Sequence, residues 1–196
     1  LDGPASVRRL YAGWAATYDV GFAARTGYAL PAAVAAAHAA AGGAGPVLDV
    51  GAGTGLVAEA LAAQGVGPVD AVDLSPEMLA RAGAKGLYRH LIEADVTRPF
   101  ALPDGLYAGI VSAGTVTQGH VGPEAIPVLL AAARPGALFT LSVHERVWAA
   151  RGFPAAFAAL GPAIAGFEAR PVAIYGGGTG AHGGDRAHLV RFRKAG

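Results

Sequence analysis

The chain has 196 residues, a formal net charge of +1 at neutral pH, no cysteine and 53% hydrophobic residues. That length suits one domain around one substantial core. The missing cysteine excludes disulfides, cysteine-based zinc sites and thiol nucleophiles, and the near-zero charge argues against a strongly basic nucleic-acid binder or a partner of acidic surfaces. Between Arg25 and Asp49 there is no Lys, Arg, Asp or Glu. This stretch is alanine- and glycine-rich, holds Pro31 and His38, and lacks the large apolar groups that a span of about 20 residues requires. It reads as helix and loop, so no membrane partner is expected. No signal-peptide pattern is visible, and the lack of cysteine is compatible with the cytoplasmic location expected here.

In chain order, residues 1–45 precede the first strand and form a helical cap. Within it, residues 7–20 carry Tyr11, Trp14 and Tyr18 on one helix face. These rings can pack on the core or close over a ligand. A second helix, 30–41, leads through Gly42 and Gly43 into the apolar strand 47–50. That strand breaks into Gly51, Gly53 and Gly55, and the alanine/leucine helix 56–64 follows at once. Glycine lets such a turn take positive φ and lets a ligand approach bare backbone, and the free N–H groups of the helix start favour electron-rich groups. Strand 69–73 then ends in Asp73, 22 residues after Gly51, where a carboxylate can take both hydroxyls of a ribose.

Ser75, Pro76 and Glu77 spell a helix start. Strand 88–93 runs into Ala94-Asp95-Val96. Strand 106–113 contains Gly109, which weakens it, and opens into a loop over 112–121. That loop lies beside the point where strand order should reverse, the usual ligand position in open α/β sheets. A helix over 123–134, a strand over 138–143 closed by His144, and a helix over 151–160 interrupted near Pro154 come next. Segments 167–175 and 188–194 form a terminal hairpin across a glycine-rich connection. No linker divides the chain, so residues 1–196 read as one domain, with the core in 46–196.

The dinucleotide fingerprint is G-x-G-x-x-G, but its sixth position is here Leu56 and the third glycine comes early, at Gly55. Asp49-Val50-Gly51-Ala52-Gly53-Thr54-Gly55 instead resembles motif I, D-x-G-x-G-x-G, of the class I S-adenosylmethionine (SAM)-dependent methyltransferases. The resemblance extends to Tyr11…Trp14-Ala…Tyr18-Asp19, similar to an opening that lies beside the SAM pocket, and to Asp73-Leu74-Ser75…Met78-Leu79. It also covers Arg134-Pro135-Gly136, although Ala137 replaces a second glycine and the fourth strand, 106–113, lacks the usual Asp at Ala108. A narrower similarity links residues 51–57, Met78-Leu79, Lys85-Gly86-Leu87-Tyr88, Gly119-His120-Val121 and Gly152-Phe153 to the methyltransferase-like proteins named after the Williams–Beuren syndrome region.

The resemblance implies a Rossmann-like α/β sandwich: a seven-stranded, mostly parallel sheet with an antiparallel C-terminal hairpin. It implies SAM as cofactor and S-adenosylhomocysteine (SAH) as product. It implies cofactor contacts from Tyr11, Trp14, Tyr18, Asp49, Gly51, Ala52, Gly53, Gly55, Asp73, Leu74 and Met78. Asp95 would meet the adenine amino group and the Val96 N–H its ring, while the carbonyls after strand 4, around Ala113, would receive the ammonium. Methyl transfer is an in-line displacement that needs alignment, worth roughly 7–11 kcal/mol, and a base only for a protonated acceptor. His120 and His144 are the candidate catalytic residues because both follow central strands and can titrate near neutrality; Gln118 and Glu145 could orient an acceptor. No His/Asp/Glu cluster has metal-site spacing. Short connections favour a small-molecule acceptor over nucleic acid. Two alternatives stay open: a nicotinamide-dependent oxidoreductase, disfavoured by Leu56 and the lack of a Tyr-x-x-x-Lys pair, and a non-catalytic SAM-binding protein.

Overall fold

The computed structural model describes residues 27–117, 121–176 and 184–196. Apolar segments without solvent-facing alternation make interior strands: β1 (Val47–Val50) is buried at all four positions, as is most of β2 (Val69–Asp73). β3 (Tyr88–Glu93) alternates half-buried with exposed residues, as an edge strand should. β4 (Tyr107–Val116), β5 (Ala133–His144), β6 (Ile164–Ala173) and β7 (Arg186–Lys194) complete a seven-stranded sheet in the order β3-β2-β1-β4-β5-β7-β6. β1 to β5 are parallel, and β7 lies antiparallel between β5 and β6. The chain winds outward from β1 to β3 and returns to β4 on the other side of β1. The switch point is therefore at the carboxyl ends of β1 and β4.

Helices α1 (Leu30–Ala40), α2 (Leu56–Ala63) and α3 (Pro76–Ala84) come before β4, and α4 (Ala125–Ala132), α5 (Glu145–Trp148) and α6 (Phe153–Ala159) after it. Strand residues divide between two packed layers. Val47, Val69 and Val111 join Val34, Val57 and Leu61 of the early helices. Leu48, Val50, Ile110, Phe139 and Leu141 join Ile126, Leu129, Phe153 and Phe157 of the later ones. The adjacent Val47 and Leu48 thus point to opposite faces, as strand geometry requires. Among the described residues no helix is long and apolar enough to cross a membrane.

Among the buried polar residues, His38 is bonded through one ring nitrogen while its Nε2 has no hydrogen-bond partner among the described residues, and Asp70 is fully bonded. His38 of α1 is fully buried, with Nδ1 3.0 Å from Thr140 Oγ1; a β-carbon on Gly109 would stand 2.7 Å from its Nε2. The glycine that weakens β4 in sequence therefore makes room for an imidazole. Residues 94–106 cross from β3 to β4 without a helix. Beside this crossing the buried Asp70 accepts from Arg89 Nε at 2.9 Å and Nη2 at 2.7 Å, and from the Tyr107 hydroxyl at 3.0 Å. Burial of that carboxylate is tolerable because its lone pairs are used.

Several boundaries differ from the sequence reading. β4 runs to Val116, past a register shift after Ser112, because Ser112 Oγ and Thr115 Oγ1 both donate to the Val50 carbonyl, at 2.8 and 3.0 Å. β5 starts at Ala133 and α5 is an added four-residue helix. Pro154 lies in the first turn of α6, whose start it favours, and does not interrupt it.

Candidate cofactor and active site

At the switch point the glycine turn is stapled to β2. The N–H groups of Gly51 and Ala52 donate to the Val72 carbonyl at 2.8 and 3.2 Å. Gly53 N–H donates to Asp73 Oδ2 at 2.8 Å, and Ser75 N–H to Asp73 Oδ1 at 2.9 Å. Gly51, Gly53 and Gly55 take φ of 65°, 55° and 91°, a path that costs an L-residue about 1–2 kcal/mol at each step. A carboxylate offers about four lone-pair directions, so Asp73, held by the Gly53, Ser75 and Leu74 N–H groups, keeps capacity for a further donor. Burial raises its affinity for a proton, and the N–H groups of Ser75, Gly53 and Leu74 oppose that rise.

The turn has a closed side and an open one. A β-carbon on Gly51 would collide with the Thr115 side chain, whereas one on Gly53 would meet nothing within 4 Å among the described residues. The open space above Gly53, beside a carboxylate with acceptor capacity to spare, fits an adenosine-bearing ligand with a vicinal diol. Beneath the turn, Asp49 is fully buried. Its Oδ2 accepts from the Tyr88 hydroxyl at 2.7 Å, and its Oδ1 has no hydrogen-bond partner among the described residues. Burial pushes the Asp49 carboxyl up to about 7; the Tyr88 bond pulls the other way and the Asp73 charge adds to the rise.

The remaining predicted residues sit around this centre. Ser75 caps α3, accepting from Met78 N–H at 3.2 Å and donating to Glu77 at 2.8 Å, a cap worth about 1 kcal/mol. Leu74 is half-buried just before this cap, and Met78, in the first turn, is only 2% exposed. Ala94 N–H bonds the Asp73 carbonyl at 3.1 Å, which brings Asp95 and Val96 beside the end of β2. Asp95 Oδ1 accepts from Thr97 N–H at 3.0 Å and Thr97 Oγ1 at 2.7 Å. It caps a turn, and the Thr97 bonds hold it below the usual carboxylate range. Val96 packs into the core. Ala113 lies within β4, half-buried. Tyr11, Trp14, Tyr18, Gln118 and His120 lie outside the described residues.

His144 ends β5 and caps α5: its Nδ1 accepts from Arg146 N–H at 3.1 Å. An Nδ1 that accepts carries no proton, so neutral His144 presents Nε2–H, a donor. Burial lowers its proton affinity, with the Asp185 charge opposing that fall and Arg146 adding to it. Among the described residues no group of three His, Asp or Glu side chains could hold a metal ion. Sequence reasoning missed Tyr88 and Thr115 as parts of this site. Their partners are 39 and 64–65 residues away, and neither residue type signals such a role at those positions.

Residues 47–135 match the family described as methyltransferase domain. Methyltransferase-like protein 27 of Homo sapiens is 38% identical over 99 residues, which are 50% of this chain and 40% of that protein. The aligned stretch thus spans well under two thirds of the human relative. Among solved structures, magnesium protoporphyrin IX methyltransferase of Synechocystis PCC 6803, with bound SAM, has a TM-score of 0.69 at 20% identity, covering 99% of this chain and 98% of that one. The 1,6-didemethyltoxoflavin-N1-methyltransferase of Burkholderia thailandensis, with bound 1,6-didemethyltoxoflavin and S-adenosylhomocysteine, has a TM-score of 0.64 at 22% identity, covering 100% and 92%. These likenesses carry the fold. Together they show a Rossmann-like fold whose residues 47–135 are similar to the methyltransferase domain family.

Proposed function

We propose that the protein transfers the methyl group of SAM to a small-molecule acceptor and releases SAH. The observation that carries this reading is Asp73, locked by Gly53 and Ser75 N–H groups beside open space above a bare glycine. Bound SAM would supply a methyl carbon already activated by the sulfonium, so the chain's work is to bind, align and exclude water. Asp73 takes the ribose hydroxyls, and Gly51, Ala52, Gly53 and Gly55 allow close approach. Asp95 and the Val96 N–H face the adenine, with Leu74 and Met78 flanking it. The backbone near Ala113 receives the ammonium, and Tyr11, Trp14 and Tyr18 close the site from residues 1–45 of a single catalytic domain. His120 is the candidate base, and His144 orients the acceptor through Nε2–H rather than removing its proton.

The acceptor class is supported by the net charge of +1 and by the small-molecule ligand of the Burkholderia neighbour. A cytoplasmic location and the absence of a nucleic-acid partner belong to the same reading. The test is SAH affinity in Asp73→Ala. Loss of the ribose bonds predicts a drop of at least about 100-fold; unchanged affinity would show that the cofactor lies elsewhere.

A further inference from the structure

We infer that Tyr88 is a positioning residue of the cofactor site: its hydroxyl holds Asp49 by one oxygen and leaves the other, Oδ1, to receive a donor brought by a cationic ligand on the glycine turn. The inference rests on the SAM reading and deepens it. Oδ1 is an orphan acceptor on a side chain with no solvent exposure, a costly state that native interiors avoid unless a ligand or an ordered water completes it. Tyr88 is placed for this task. It starts β3, its hydroxyl lies 2.7 Å from Asp49 Oδ2, and its ring packs under the turn, 3.2 Å from where a Gly55 β-carbon would stand. The phenol is itself unable to ionise near neutrality, since burial and the Asp49 charge drive its proton affinity far upward. It therefore serves as a fixed donor.

Among the described residues, charged groups reach Asp49 and its Tyr88 partner from β2 and α2. Asp73 faces it from β2. Glu59 of α2 reaches the Tyr88 end, with Lys85 3.2 Å away. β4 contributes the neutral Thr115 hydroxyl, which is bonded to the Val50 and Gly51 carbonyls. A cationic ligand favours the ionised carboxylate, so ligand binding and Asp49 deprotonation promote each other. Tyr88 makes that deprotonation easier by donating to the charged form.

The experiment is equilibrium titration with SAH from about pH 6 to about pH 8.5 on wild type, Tyr88→Phe, Asp49→Asn and the double variant. Wild-type affinity should rise with pH and level off above about pH 7, where Asp49 is ionised. Tyr88→Phe should bind about tenfold more weakly near pH 7, the worth of one bond to a charged group, and should recover to within about threefold near pH 8.5 because its profile is displaced upward. Asp49→Asn should bind weakly with a flat profile, and adding Tyr88→Phe to it should change nothing further. A Tyr88→Phe deficit equal at every pH, or none, would overturn the inference while leaving the SAM reading standing, as would a double variant weaker than Asp49→Asn. If wild type bound no SAH, both would fall. Circular dichroism on each variant separates misfolding from a binding defect, and should Tyr88→Phe not fold, the Asp49→Asn profile alone decides: an undiminished pH dependence there overturns the inference.

Discussion

His38 and Gly109 share one space: the imidazole occupies the position that a side chain on β4 would need, with Nε2 2.7 Å from the missing β-carbon. This contact couples the first described helix to the centre of the sheet, one strand from the cofactor turn. Gly109→Ala should therefore destabilise the fold by about 1–3 kcal/mol, the usual cost of overfilling a packed core, despite alanine's better strand behaviour. The midpoint of urea unfolding measures this.

The same histidine sets a pH dependence. Burial, with the Arg193 charge, lowers its folded-state value to about 4 from 6.5. The fold prefers neutral His38, so this contribution is fully present above the unfolded value and is lost as pH falls from about 6.5 towards about 4, amounting to about 3 kcal/mol. Asp49 runs the other way. Its carboxyl rises to about 7 in the fold, so ionising it removes stability as pH climbs between its unfolded value near 4 and about 7. In urea unfolding at several pH values, Asp49→Asn should steepen the gain in stability between about pH 4 and 6.5, and His38→Gln should flatten it.

Gly51 and Gly53 lose function for different reasons under the same substitution. Alanine at Gly51 collides with Thr115 and breaks its bonds to the Val50 and Gly51 carbonyls, so it should cost both stability and SAH binding. Alanine at Gly53 meets no neighbour among the described residues. It should cost only the backbone strain of about 1–2 kcal/mol, yet reduce SAH affinity at least about tenfold, because the new methyl fills the ligand's space. Thermal unfolding and SAH titration on both variants check this pair.

His144, bonded through Nδ1 to Arg146 N–H, should act as a donor to the acceptor. His144→Ala should leave SAH affinity within about twofold and lower transfer from labelled SAM about tenfold or more, while His144→Gln, which keeps an N–H donor, should recover part of it. Equal losses in the two variants would assign the residue a proton-accepting role instead.

Local chemistry made much of this legible before the structure. β2 and β3 were readable to the residue because Asp73 and Glu93 end runs bounded by turn residues. The glycine turn and the strand-ending Asp73 were readable from their spacing, whereas the Gly53 N–H bond that joins them appears only in the fold. What stayed hidden depends on contacts across the fold. The end of β4 is set by the Ser112 and Thr115 hydroxyls reaching β1, and Gly109 is explained by His38, 71 positions earlier by residue number, with Val47 behind it. Tyr88 reads as an ordinary strand aromatic until its hydroxyl is found on Asp49. The hydrogen-bonded tautomer of His144 likewise needed the Arg146 N–H in place.

The central claim is that the glycine turn and Asp73 hold the nucleoside of SAM. Calorimetric titration of the unmodified protein with SAH, using NAD as control, tests it most directly. The account predicts one SAH site with a dissociation constant of about 10 μM or tighter and no heat from NAD. Binding of NAD in place of SAH would move the protein to hydride chemistry, and binding of neither would show that this turn no longer serves a nucleoside.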